Sequence, residues 1–484
     1  MLNSPLISAP RSYINGQWTG AESGATFPVR NPATGEHLAD VPNLATAQTV
    51  TAIAAAEAAW RREPPATQRA AWLTAMAESL TRHRGEMARI ITLEQGKPLA
   101  ESAAEVDYAA GFFRFFAAQL PQLEPRSFPE HIRGLHWRTR FRPAGVVALI
   151  TPWNFPLAML AKKLAPALAA GCGIIAKPSE LTPLTAIALW GLLDQLDLPP
   201  GLANLVTGEP APIAAALCAH PAVRVISFTG SGEVGRTLLA ASAAHVKRLA
   251  LELGGNAPYL VFDDADIDIA ADSLMANKFR CAGQTCVCAN RVLVQRAIAG
   301  TFVDALAGRV RRLKVGNGLD PATNIGPLIN RAAMQKVLRH VNDALQNGAH
   351  RPVGGEVGPP PSEGHDWGAF FPPTILTNTT PEMLLSREET FGPILALGSF
   401  DTEDQAVALA NSTPYGLAAY LFTAKIERAQ RVARALDFGH IGINTGSGPT
   451  PEMPFGGMKQ SGFGREGGIE GLLEFIEVQA VVSA

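Results

Sequence analysis

An α/β fold built on mostly parallel sheets is predicted by three features of this 484-residue chain. Short apolar runs alternate with helical stretches between residues 146 and 253, and a second α/β region starts after Gly255. Between the helical first third and the apolar runs, residues 136–142 alternate in the manner of a strand. Strands separated by helical crossovers pair in parallel, with right-handed connections. The length divides into two or three domains, each able to bury a large core.

Taken in order, residues 45–61, 67–84 and 86–99 are Ala-rich and helical in pattern. The chemistry changes at 128–141, where His136-Trp-Arg-Thr-Arg-Phe-Arg142 alternates bulky and basic side chains at the period of an exposed or paired strand. Strands are expected at 146–150, 173–176, 203–206, 223–228 and 249–253. A Pro/Gly-rich stretch at 353–363 is expected to form a surface loop; no internal repeat or long low-complexity tract is present. Residues 136–142 and the C-terminal run Phe475-Ile-Glu-Val-Gln-Ala-Val-Val482 both read as edge elements in need of a partner.

Composition narrows the function. With 41 Lys and Arg against 43 Asp and Glu the formal charge is −2, which provides no basic field for nucleic acid, and the 10 histidines form no metal cluster. The opening Met1-Leu-Asn-Ser-Pro lacks a charged start followed by an apolar run, and no stretch approaches the length of a membrane span. An odd number of cysteines without an export signal points to a reducing cytoplasm and to no membrane partner.

The chemistry concentrates in Phe279-Arg-Cys-Ala-Gly-Gln-Thr-Cys-Val-Cys-Ala-Asn-Arg291, which puts three thiols in a short polar segment. Cys286 and Cys288 are too close in sequence for a zinc pair, and no second Cys/His pair follows at finger spacing, so no metal is expected. Cys286, in its Gly-Gln-Thr-Cys context, is expected to act as a nucleophile once deprotonated. Leu251-Glu252-Leu-Gly-Gly-Asn256 offers a base, because it sets a carboxylate at the end of an apolar run, where catalytic groups collect in α/β proteins. Asn154, in Thr151-Pro-Trp-Asn-Phe-Pro156, offers a neutral amide donor for an oxyanion.

Phe228-Thr-Gly-Ser-Gly-Glu-Val-Gly-Arg-Thr237 follows a strand and opens a helix, which suits a phosphate-bearing ligand. By spacing it is one residue from a P-loop, with Arg236 where the lysine belongs, and a guanidinium fork does not replace a compact ammonium. Nucleotide hydrolysis would also leave Cys286, Glu252 and Asn154 without a role.

Together, Glu252-Leu-Gly-Gly-Asn-Ala-Pro258 and Gly283-Gln-Thr-Cys286, their Glu and Cys 34 residues apart, resemble the aldehyde dehydrogenase superfamily. The resemblance covers nearly the whole chain. Lys177-Pro-Ser-Glu180, the 228–235 segment, Glu389-Thr-Phe-Gly-Pro393 and Pro454-Phe-Gly-Gly-Met-Lys-Gln-Ser-Gly462 are further matches. The Cys-Val-Cys form, with Arg280 six residues before Cys286, is most similar to the succinate-semialdehyde dehydrogenase branch.

This resemblance implies a Rossmann-type NAD-binding domain (1–120 and 144–253), an α/β catalytic domain (254–450) and a small β oligomerisation element (121–143 and 470–484) of a cytoplasmic homodimer or homotetramer. It implies NAD, with NADP as the alternate, held by Trp153, Lys177, Ser179, Glu180, Gly230, Ser231, Gly235, Leu253, Glu389 and Phe391. A carboxylate at Glu180 accepts from ribose hydroxyls and repels a 2′-phosphate, which favours NAD. Cys286 would form a thiohemiacetal and then a thioester, with Asn154 holding the oxyanion and Glu252 activating water. The branch grips its substrate's distal carboxylate with two arginines and a serine. Arg280 matches the first, and Lys162, two helical turns beyond Asn154, takes the second position. The serine position falls on Pro449, with Ser447 and Thr450 nearby. Trp153, Phe155 and Phe455 would form an aromatic pocket. Succinate semialdehyde is thus the expected substrate, with glutarate semialdehyde or a broader aldehyde range as alternatives. A non-catalytic NAD-binding relative is the remaining reading, against which the intact Cys286, Glu252 and Asn154 argue.

Overall fold

The computed structural model describes residues 2–355 and 370–484, so the loop expected at 353–363 lies outside the described residues from position 356 on. The five apolar runs are strands whose ends differ from expectation by about a residue: Val146–Ile150, Gly173–Lys177, Ala203–Leu205, Val223–Thr229 and Arg248–Glu252. They run parallel, in the spatial order Arg248–Glu252, Val223–Thr229, Val146–Ile150, Gly173–Lys177, Ala203–Leu205. Every residue of Val146–Ile150 and Gly173–Lys177 is buried, as a parallel sheet covered by helices on both faces requires. Because the chain winds one way from Val146–Ile150 and then returns to its other side, a switch point opens between it and Val223–Thr229. Ligands of open α/β sheets bind at the carboxyl ends of strands at such a point.

Short antiparallel strands complete this sheet, Ser12–Ile14 and Gln17–Thr19 at one edge and Gly462–Phe463 at the other. The first third carries the helices Thr46–Trp60, Ala66–Arg82, Arg84–Gln95 and Leu99–Gln119. The helix expected at 86–99 stops early because Gly96 closes it in the left-handed region (φ +97) and Pro98 precedes the next helix. Lys97 is thereby left in a buried turn.

Past Gly255 the second sheet runs His350–Val353, Thr374–Thr377, Ile394–Phe400, Ala289–Gln295, Ala257–Val261, Ala418–Phe422, His440–Ile443. All of its pairings are parallel except that of His350–Val353. Each sheet has its own apolar core, around Val147, Leu149 and Ile174 in the first and Val261, Val292 and Leu395 in the second.

The strand His136–Pro143 is not an edge, contrary to expectation. It is the centre of a three-stranded antiparallel sheet, flanked by Arg126–Phe128 and by Ile476–Ser483, with Ile476 opposite Pro143 and Ser483 opposite His136. The two segments expected to seek partners pair with each other, and Ile476–Ser483 and the short Arg126–Phe128 form the edges of the sheet. No helix among the described residues is long and apolar enough to cross a membrane.

Candidate active site

Glu252 ends its strand, and residues 253–256 carry the chain from the first sheet into the second. Gly255 is required by close approach, since a Cβ there would lie 2.5 Å from the Cys286 carbonyl oxygen, while a Cβ on Gly254 would press on the end of the Glu389 side chain, 2.9 Å from Oε2. Cys286 arrives from the other side, in the loop between the helix Ile267–Phe279 and the strand Ala289–Gln295. That loop opens with Cys281, Ala282 and Gly283 at φ +53, +54 and +74. A left-handed conformation costs a non-glycine residue about 1–2 kcal/mol, so the turn needs support. Glu101 Oε2 accepts from the Cys281 N–H at 2.7 Å, and Gln284 Nε2 donates to the Cys281 carbonyl at 3.0 Å.

The Cys286 thiol donates to Glu252 Oε1 at 3.3 Å. Burial, and next the Glu252 charge, push this thiol well above its usual range, with Lys162 opposing. The resting group is therefore a thiol with a carboxylate in place to take its proton. Burial also raises Glu252, against the pull of Lys162.

Asn154 follows Val146–Ile150 at the switch point and precedes the helix Ala158–Ala170, so the loop, rather than a shared helix face, brings it and Lys162 to one cavity. Its Nδ2 donates to the Gln284 carbonyl at 2.9 Å. Its own carbonyl accepts from Lys97 Nζ at 2.6 Å, and Lys97 pairs with Glu105 at 2.7 Å. Glu105 Oε1 in turn accepts from the N–H groups of Leu157 and Ala158, at 2.9 and 3.0 Å. A fully buried ion pair thus holds both the asparagine loop and the amides that open the following helix.

Two cavities meet at Cys286. One, of 290 Å³, is walled by Tyr108, Phe155, Lys162, Arg280, Pro449 and Phe455, with Glu252 and Asn154 beside the thiol. The other, of 230 Å³, is walled by Trp153, Gly230, Ser231, Leu253, Glu389 and Phe391. Asn154, Met159 and Cys286 belong to both. In the second, Trp153 and Phe391 meet edge to face at 5.6 Å, and Phe391 is held at φ +56. Glu389 Oε1 accepts from the Gly255 N–H at 3.1 Å, and burial pushes this carboxyl up to about 7. Ser231 caps the helix Gly232–Ser242 through the Val234 N–H at 3.3 Å, and Gly235 packs so closely on Leu253 that a Cβ would lie 2.6 Å from Leu253 Cδ2. A helix N-terminus, flat aromatic walls and a carboxylate fit a nicotinamide dinucleotide. Lys177, Ser179 and Glu180 do not line this cavity; Lys177 ends the strand Gly173–Lys177, the other two follow it, and Lys177 Nζ lies 3.1 Å from Glu180 Oε2.

The substrate-side residues divide. Arg280 is exposed, stacks 5.2 Å from the Phe155 ring centre and pairs with no carboxylate among the described residues. Lys162 is buried, and its ammonium already lies between Glu252 Oε2 and Glu466 Oε2, the latter at 2.5 Å. Glu466 also pairs with Lys163, which donates to Ser227 Oγ at 3.1 Å. Trp153 lines the cavity with Glu389 rather than the one with Phe155 and Phe455. Pro449 lines the latter, whereas Ser447 and Thr450 do not. Met159, Lys336, Glu101, Tyr108 and Glu466 escaped sequence reasoning; only Glu466, a lone carboxylate in a Gly-rich stretch, carried a local signal.

The model of the aldehyde dehydrogenase family matches residues 18–481, and the chain belongs to that family of oxidoreductases. It is 46% identical to the mitochondrial succinate-semialdehyde dehydrogenase of Oryza sativa subsp. japonica, over 97% of this chain and 89% of that protein. It is 43% identical to the glutarate-semialdehyde dehydrogenase of Pseudomonas putida strain KT2440, over 99% of this chain and 98% of that protein. Among solved structures, an oxidoreductase from Marinobacter aquaeolei superposes with a TM-score of 0.97 at 49% identity, covering 100% of both chains. The fold is that of the aldehyde dehydrogenases.

Proposed function

We propose that this chain oxidises an aldehyde carrying a distal carboxylate to the corresponding acid, with succinate semialdehyde as the leading substrate. The observation that carries the reading is the contact of Cys286 Sγ with Glu252 Oε1, 3.3 Å apart where two cavities join. Glu252 takes the thiol proton, and the thiolate adds to the aldehyde carbon. Asn154 Nδ2 and the Cys286 N–H hold the resulting oxyanion. A bound nicotinamide supplies the hydride acceptor. Cys286 is then left acylated, and Glu252 activates the water that releases the acid.

Trp153, Leu253, Glu389 and Phe391 hold the nicotinamide end of the cofactor, and Gly230, Ser231 and Gly235 its diphosphate. Lys177, Ser179 and Glu180 hold the adenosine ribose, and Glu180 makes NAD the preferred nucleotide over NADP. The cofactor side is built from 1–120 and 144–253, the catalytic side from 254–450. The chain acts in the cytoplasm as a homo-oligomer, assembled through 121–143 and 470–484.

Arg280 grips the substrate's carboxylate, since it is exposed at the cavity wall and its planar fork suits that group. A longer ω-carboxy aldehyde is the second reading, favoured by Pro449 at the position expected for a serine. Arg280→Ala should raise KM for succinate semialdehyde at least tenfold while leaving pentanal nearly unchanged, since roughly 1.4 kcal/mol of lost grip is tenfold. Equal losses on both aldehydes would reduce Arg280 to a support of the cysteine loop.

A further inference from the structure

Lys162 faces two claims, one from the substrate's carboxylate and one from the general base. Its surroundings are set by the chain itself. Glu252 pairs with Gly462 across the antiparallel edge of the first sheet, and Phe455 and Glu466, flanking that turn, bridge each other through backbone bonds of 2.7 Å. One segment therefore delivers both Glu466, which binds the ammonium, and Phe455, whose ring centre lies 5.3 Å from it. Lys162, Lys163, Glu252 and Glu466 form a buried cluster with two charges of each sign.

Resting on the reading above, we propose that Lys162 is a positioning residue for Glu252, and that Arg280 holds the substrate's anionic tail without it. With its charge and two of its three N–H donors already committed to Glu252 and Glu466, the ammonium has little to offer a third carboxylate, and turning it away from Glu252 would leave the base buried without its nearest compensating charge. Lys162 instead holds Glu252 Oε2 while Oε1 faces the thiol, and so aims the base at Cys286. Thr229 Oγ1 adds a bond to Oε2 at 3.3 Å. The groups facing Glu252 are Lys162 and Lys163 from the helix Ala158–Ala170, Glu466, Thr229, Cys286 and, more remotely, Tyr108. Without the Lys162 ammonium, Glu252 faces Glu466 with Lys163 alone to compensate. It then keeps its proton to higher pH and serves as a base only there.

The test is steady-state kinetics of Lys162→Met and Lys162→Arg with NAD, on succinate semialdehyde and on pentanal, across pH. Lys162→Met should lower kcat on both aldehydes by a similar factor, roughly tenfold, and move the acid limb of kcat upward by about one pH unit. The ratio of the two KM values should stay as in the unchanged enzyme. Lys162→Arg should keep both the acid limb and that ratio. A rise in KM confined to succinate semialdehyde with the acid limb unmoved would overturn the proposal, as would a selective fall in that KM for Lys162→Arg, because a guanidinium grips a carboxylate better. If the Met variant does not fold, the Arg variant decides between the two. The substrate reading fails separately, if Arg280→Ala loses equally on both aldehydes.

Discussion

Cys286 Sγ and Glu252 Oε1 stand 3.3 Å apart although one belongs to the loop before Ala289–Gln295 of the second sheet and the other ends a strand of the first. The Gly254-Gly255 link makes this meeting sterically feasible. Cys286→Ala should abolish aldehyde oxidation while cofactor binding, followed by tryptophan fluorescence, survives. Cys288→Ala should stay active, since Cys288 is buried with its thiol on the Gly283 carbonyl at 3.3 Å. The reverse pattern would mean that the nucleophile is Cys288.

Glu252→Gln should separate the two halves of the reaction. Rapid mixing should show slow or partial NADH formation in the first turnover and then a stall, with acyl label retained on the protein. Unchanged steady-state turnover would remove Glu252 from the mechanism.

Asn154 is held by its backbone as well as its side chain. Asn154→Ala should lower kcat on the order of 100-fold to 1000-fold, the usual cost of one oxyanion donor. Lys97→Met should reach part of that loss from a distance by freeing the Asn154 carbonyl, and should lower stability to urea by about 3–5 kcal/mol through the orphaned Glu105. A Lys97→Met enzyme of normal kcat would show that the loop holds its shape without the pair.

Glu389 gives a pH signature. Burial raises its carboxyl from the ordinary 4.5 to about 7, so it is protonated below that value and ionised above it. Only the ionised form is a full acceptor for ribose hydroxyls, so affinity for NAD should rise as pH climbs through about 7. The contribution to folding stability runs the other way: the folded state binds this proton more tightly, so stability is lost as pH rises from 4.5 to about 7. Calorimetric titration of NAD across this range checks the first effect, and Glu389→Gln should flatten it.

Glu180 lies within 3.1 Å of Lys177, which is otherwise buried. Efficiency with NAD should exceed that with NADP, and Glu180→Ala should narrow the gap by freeing the Lys177 ammonium for a 2′-phosphate. An unmodified enzyme that prefers NADP would refute this.

Much of the architecture is legible locally. The strand at 146–150 and most of those at 173–177 and 223–229 are apolar and lie at crossover spacing, and burial on both faces imposes that pattern. Cys286 stands out by its Gly-Gln-Thr-Cys context among three thiols in a short polar segment, and Glu252 and Asn154 as polar groups at or just past the end of an apolar run. The N-terminal strands, three to six residues long, are too short to show a period.

What only the tertiary structure decided is which charges and edges meet. Lys162 reads in sequence as a free cation two turns past Asn154, but Glu252 and Glu466, far away along the chain, claim it. His136–Pro143 reads as an edge strand, but the C-terminal Ile476–Ser483 covers it. Lys97 and Glu105 carry no signal in the sequence, yet they close a fully buried pair under the asparagine loop. Apolar periodicity records a residue's own burial, and so it survives in a one-dimensional reading. Ion pairing and strand pairing depend on the distance between two groups, which is set only when the intervening chain has packed.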